Sequence, residues 1–232
     1  MEIKVLASAE AVAREGAAII AAEARAAIVA RGHFILAVSG GHAPWLMLRD
    51  LAGEDVPWNE VHVAQVDERV APAGHPDRNL THLRESLLDH APLRAEQVYA
   101  MPVEASELEA AASRYAQTLR GIAGSPPIFD LVHLGLGPDG HTASLVPGDP
   151  LLDVTDADVA LTGVYQGRRR MTLTYPIINR SRRILWLVTG NDKVEMLTRL
   201  RDGDRSIPAG RIARDHALVI ADSAAAGRLE AN

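Results

Sequence analysis

Apolar residues fall along this chain in short unbroken runs, each followed by a cluster of small and polar residues. HFILAVS (33–39), VHVAQV (61–66), IFDLVHLGLG (128–137), RRILWLVTG (182–190) and HALVIAD (216–222) all have strand length. Their continuity, rather than period-two alternation, predicts strands of a parallel sheet buried on both faces. Between them, apolar positions are spaced among charges. The Ala-rich stretch 8–31, with Val12, Ile19, Ile20, Ile28 and Val29, predicts one long amphipathic helix, capped by Ser8 and stopped at Gly32. WLMLRDL (45–51), about 79–89, 106–120 and about 191–201 read as further helices, and ADVALTGVY (157–165) and RMTLTY (170–175) as two more strands. Strands alternating with helices predict an α/β fold with a mostly parallel sheet, and no linker or repeat divides residues 1–232 into more than one domain.

Composition narrows the classes. With 232 residues, 47% hydrophobic and 23% charged, the chain has an ordinary globular profile. It contains no cysteine, which removes disulfides, thiolate zinc sites and a cysteine nucleophile. No stretch approaches the ~18 apolar residues of a membrane span. The start MEIKVLASAEAVAREG lacks a basic and then apolar signal, so the expected location is cytoplasmic. A net charge of −6 speaks against a nucleic-acid partner. No histidine pair has ligand spacing on a helix, so no metal is expected.

Four polar clusters, SGGH, DER, GPDGHT and TGNDK, each follow a predicted strand. Ligands of open α/β sheets bind beyond the carboxyl ends of the strands, so these four loops predict one shared site. In SGGHAP, Gly40 and Gly41 before a helix suit an anion cradle, with Ser39 as a hydroxyl donor; the alternative is a plain tight turn. Asp67 and Arg69 of VDERV offer a carboxylate and an anion-binding guanidinium, or only a surface ion cluster. In GLGPDGHTASLVPG (135–148), Asp139 and His141 are two residues apart among glycines, where a carboxylate can tune an imidazole for base work. In GRRRMTLT, alternation puts Arg168 and Arg170 on one face and Arg169 on the other, without saying which meets a ligand. Lys193 sits where a helix start disfavours a cation, unless it serves a bound anion.

Together SGGHAP, VDERV with Asn79 downstream, GLGPDGHTASLVPG, TLTYPIIN and ILWLVTGNDKVEML resemble the 6-phosphogluconolactonase family, a relative of the glucosamine-6-phosphate isomerase/deaminase superfamily. The resemblance runs from about residue 8 to 222. It implies a modified Rossmann-like sheet with helices on both faces, and hydrolysis of 6-phospho-D-glucono-1,5-lactone to 6-phosphogluconate in the pentose phosphate pathway. A sugar-phosphate substrate would be the partner, with no cofactor; the sequence leaves the oligomeric state open, with a monomer favoured. By the same resemblance His141 is the general base, with Asp139, Asp67 and Arg69 beside it. Ser39, Gly40, Gly41, Asn79, Arg170 and Lys193 face the substrate, and amides near Gly137 and Gly140 are candidate oxyanion donors. The chain departs from the family in having His42-Ala43 after the two glycines, Arg78 where serine is usual, and Pro208-Ala209-Gly210. Three alternatives stand beside this: a glucosamine-6-phosphate deaminase or isomerase, a non-catalytic sugar-phosphate-binding domain, and a serine hydrolase using Ser144 or Ser39.

Overall fold

The structure is a computed structural model and describes residues 1–227. Its strands are β1 (Glu2–Leu6), β2 (Phe34–Val38), β3 (Val61–Gln65), β4 (Asp67–Arg69), β5 (Val98–Tyr99), β6 (Leu131–Gly135), β7 (Val159–Leu161), β8 (Arg170–Leu173), β9 (Arg183–Val188) and β10 (Ala217–Asp222). The helices are α1 (Ala9–Arg31), α2 (His42–Ala52), α3 (Asn79–Leu83), α4 (Leu108–Ala123), α5 (Tyr175–Asn179), α6 (Val194–Asp202) and α7 (Ser223–Ala226). Seven strands form a parallel sheet in the order β1-β10-β9-β6-β2-β3-β5.

β2 shows why the apolar runs are unbroken. Phe34, Leu36 and Val38 pack with Val12, Ile20 and Met47 of α1 and α2 on one face. Ile35 and Ala37 pack on the other face with Leu119 of α4, Leu197 of α6 and Met171 of β8. Both alternating sets are therefore apolar. The long first helix is capped as expected: the Ser8 hydroxyl accepts the Ala11 N–H, and Gly32 closes it at φ 80°. Among the described residues, no helix is long and apolar enough to cross a membrane.

Three features differ from expectation. Residues 2–6 form an edge strand that the sequence pattern did not reveal, because EIKVL is short and has charges at two of its positions. The segments 157–165 and 170–175 contain only the short strands β7 and β8, and Tyr175 already belongs to α5. With β4 they build a separate antiparallel sheet, so Asp67–Arg69 is a strand rather than a loop. The predicted helix after Asn79 keeps α geometry only to Leu83 and continues as a π turn over Arg84–Leu88.

Candidate active site

All strands of the main sheet run the same way, so the loops after β2, β3, β6 and β9 emerge at one edge. From β2 the chain moves to β3 on one side; β6 is followed in the sheet by β9 on the other. The crevice between β2 and β6 is thus a topological switch point, the usual ligand site of open α/β sheets. A cavity of about 350 Å³ opens there. Ten of the residues singled out from sequence line it: Ser39, Gly40 and Gly41; Asp67, Arg69 and Asn79; Gly137 and His141; Arg170 and Lys193. Asp139 stands behind His141, and Gly140 does not line the cavity.

The His141 ring is held from behind. Its Nδ1 lies 2.5 Å from Asp139 Oδ1, and its backbone N–H donates to the same oxygen at 3.1 Å. A carboxylate only accepts, so Nδ1 carries the hydrogen, and in the neutral ring this tautomer leaves the lone pair on Nε2. The other Asp139 oxygen accepts the Tyr165 hydroxyl at 2.8 Å. Burial opposes ionisation of Asp139, but these bonds from His141 and Tyr165 hold its carboxyl below the ordinary range. Burial and the Asp139 bond push the Tyr165 phenol up.

Gly137 is needed for close approach. A Cβ there would lie 2.0 Å from His141 Nδ1. Its amide donates to the His141 carbonyl at 2.8 Å, and the Gly140 amide to the Gly137 carbonyl at 3.0 Å. Both expected oxyanion donors are therefore engaged in shaping the turn. Gly140, at φ 81°, packs against Ile207, which explains its glycine without any substrate contact.

At the opposite wall, α2 begins at His42 with no side chain capping its first turn and no acidic residue in it. His42 and Ala43 line the cavity, and as first-turn residues their amides have no partner within the helix, at the positive end of its dipole; Pro44 has no N–H to add. Ser39 does not join them as a hydroxyl donor. Its Oγ–H donates to the His133 carbonyl at 2.9 Å, and its N–H to His133 Nδ1 at 3.3 Å.

The charged residues sort by strand pairing. Arg69 and Arg170 reach the cavity together. Burial first, and Arg69 second, hold the Arg170 guanidinium below its ordinary proton affinity. Neither Nε has a hydrogen-bond partner. Arg168 instead binds Asp77 at 2.6 Å, and Arg169 turns away to Glu109 at 3.0 Å. Asp67 is buried, with Oδ2 accepting from Ser144 Oγ at 2.6 Å and Oδ1 from Asn79 Nδ2 at 3.2 Å. Asn79 thus orients Asp67, besides lining the cavity. Gly40 lets it do so, since a Cβ there would meet Asn79 Oδ1 at 2.0 Å. Glu68 faces inward and pairs with the buried Arg78 at 3.1 Å, which gives that departure from the family pattern a structural purpose. Lys193 ends a short 3-10 turn, pairs with Asp192 at 2.7 Å and lines the cavity.

Sequence reasoning missed Tyr165 and His133, and saw Ser144 only as a candidate nucleophile. The Ser144 hydroxyl is fully buried on the Asp67 carboxylate, outside the cavity lining, and that of Ser39 is bound to the His133 carbonyl, so neither is presented to the cavity as a nucleophile. Among the described residues, no three His, Cys, Asp or Glu side chains come together as a metal site.

Over residues 7–220 the chain matches the family described as glucosamine-6-phosphate isomerases/6-phosphogluconolactonase. It is 39% identical to the 6-phosphogluconolactonase of Synechocystis over 175 residues, 74% of this chain and 72% of that one. Identity to the 6-phosphogluconolactonase of Mycobacterium tuberculosis is 36% over 218 residues, 88% of each chain. Among solved structures, a 6-phosphogluconolactonase from Shewanella baltica matches with a TM-score of 0.84 at 28% identity, covering 96% of this chain and 97% of that one. A monomeric glucosamine-6-phosphate deaminase matches at a TM-score of 0.85 and 19% identity, covering 97% of this chain and 99% of that one, a likeness of fold alone.

Proposed function

The chain belongs to the glucosamine-6-phosphate isomerase/6-phosphogluconolactonase family, and we propose that it works there as a lactonase, hydrolysing 6-phospho-D-glucono-1,5-lactone to 6-phospho-D-gluconate with His141 as general base. The observation that carries this mechanism is the Asp139–His141 pair at 2.5 Å on the cavity wall.

The substrate phosphate rests on the free amides of α2, with Arg170 and Lys193 adding charge-assisted contacts. This sets the lactone carbonyl toward His141. Neutral Nε2 takes a proton from water as the water oxygen attacks C1. With the Gly137 and Gly140 amides engaged, Arg69 is the donor left for the oxyanion. The imidazolium, stabilised by Asp139, returns its proton to the ring oxygen as the bond from C1 to that oxygen breaks. No covalent intermediate is needed.

A deaminase would need further acid or base groups after the histidine block. The next carboxylate, Asp149, caps the turn at Leu151 and accepts the Gly163 N–H at 2.9 Å, so it is engaged structurally. The expected setting is a cytoplasmic monomer. Among the described residues, the exposed large hydrophobic side chains are Val29 on α1 and Val164 in the loop between β7 and β8.

The test is the hydrolysis rate of freshly generated lactone above its spontaneous rate, with His141→Ala beside the wild type. Loss of about 10²–10⁴-fold in a folded variant is expected for a general base. Turnover retained in the variant would move the base elsewhere, and no wild-type turnover would end the lactonase assignment.

A further inference from the structure

Tyr165 and Gln166, at the tip of the β7–β8 hairpin, belong to none of the motifs that pointed to the site. The Tyr165 N–H donates to the Arg168 carbonyl at 2.9 Å, and the Arg168 N–H to the Tyr165 carbonyl at 3.3 Å. The two residues between them, Gln166 and Gly167, have φ of 51° and 79°. Positive φ at both central positions marks the two-residue turn whose twist suits a hairpin. That turn favours glycine, asparagine or aspartate, and glutamine is out of place in it. A residue kept in unfavoured backbone points to work done by its side chain.

The work is visible. The Gln166 amide oxygen accepts Arg170 Nη2 at 2.9 Å. Beside it, the Tyr165 hydroxyl donates to Asp139 at 2.8 Å, and its ring meets His141 edge-on. The Arg170 guanidinium lies over the same ring, 4.8 Å from its centroid. One tight turn therefore touches both the carboxylate behind the base and the arginine in the cavity wall.

We propose that Tyr165 and Gln166 are positioning residues that form a clasp. Tyr165 sets the carboxylate that orients His141, Gln166 sets the guanidinium that meets the substrate anion, and the shared turn keeps the two in register. The kinetic consequences rest on the lactonase reading of the site; the effect on His141 does not.

The charged groups around the pair are Asp139 and His141 from the loop after β6, and Arg170 from β8. Asp67, Arg69 and Lys193 share the cavity. The Tyr165 hydroxyl draws charge from the Asp139 carboxylate. Without it, that carboxylate stabilises the His141 imidazolium more strongly, and the ring takes its proton at higher pH.

The experiment is an NMR titration of the His141 ring, without substrate, in the wild type and in Tyr165→Phe, followed by steady-state kinetics of both proteins and of Gln166→Gly. The midpoint is expected to rise in Tyr165→Phe, with kcat lower by about fivefold and the acid limb of the pH profile displaced upward. Gln166→Gly should keep or raise the melting temperature, since glycine suits the turn, yet raise KM by about fivefold with a smaller effect on kcat. An unmoved His141 midpoint in Tyr165→Phe, or an unchanged KM in Gln166→Gly, overturns the clasp. A shifted midpoint in proteins that all lack turnover would support the clasp and overturn the lactonase assignment instead.

Discussion

Arg69 and Arg170 stand directly opposite each other across the antiparallel pair of β4 and β8. Like charges in that relation destabilise a sheet. The nearby Asp67 carboxylate is already bound by Ser144 and Asn79. That carboxylate favours the charged form of Arg170 without forming an ion pair with either arginine, so a substrate anion would meet both guanidinium groups. Arg170→Met keeps much of the buried stem and removes the charge. Its unliganded stability should hold or rise by about 0.5 kcal/mol, while KM rises at least about tenfold, ~1.4 kcal/mol of lost binding. Thermal melts with and without 6-phosphogluconate check both halves. A variant that melts lower and keeps its KM would make the arginine pair structural.

Gly137→Ala tests how closely the base is fitted. The added Cβ would sit 2.0 Å from His141 Nδ1, so the ring must move away from Asp139. The backbone at Gly137 is not left-handed, and the fold should tolerate alanine. The expected result is a kcat lower by about 10²-fold with a near-normal melting temperature, because a displaced catalytic group loses its alignment. Activity close to wild type would mean that the ring position seen here is not the working one.

Stability should depend on pH through His133. Burial pushes its pKa down to about 3. The folded ring stays neutral, accepting the Ser39 N–H, while the unfolded ring protonates near pH 6.5. Below that pH the unfolded chain binds a proton that the folded chain refuses. Stability from this group is thus complete above about pH 6.5 and falls by about 1.4 kcal/mol per unit down to about pH 3. Urea unfolding at pH 7, 5.5 and 4 measures the slope. His133→Gln should flatten it by about one proton, and an identical slope in the variant would assign the acid sensitivity to other groups.

The Glu68–Arg78 pair predicts a pure folding defect. Both side chains are almost wholly buried, and Glu68 also accepts the N–H groups of Arg69, Asn79 and Leu80. Removing one partner leaves an uncompensated buried charge, at a cost of about 3–5 kcal/mol. Arg78→Ala should therefore melt lower by roughly 10 °C, with kcat near normal in whatever remains folded. A melting temperature within a degree or two of wild type would show that water replaces the arginine.

Much of the molecule is legible in one dimension, for a local reason. Unbroken apolar runs such as FILAV arise because both faces of a parallel strand are buried, and the polar loops that follow them lie on one edge. Asp139 and His141 are two residues apart, so their partnership is within reach of a spacing argument. What tertiary structure alone decided are relations between distant segments. Asp67 meets Ser144 across 77 positions, and Tyr165 meets Asp139 across 26. Arg170, rather than Arg168 or Arg169, enters the cavity because of its register opposite Arg69. Side-chain direction in a strand alternates, so a shift of one residue would send a different arginine inward. Periodicity tells which residues share a face; only the pairing of strands tells what that face meets.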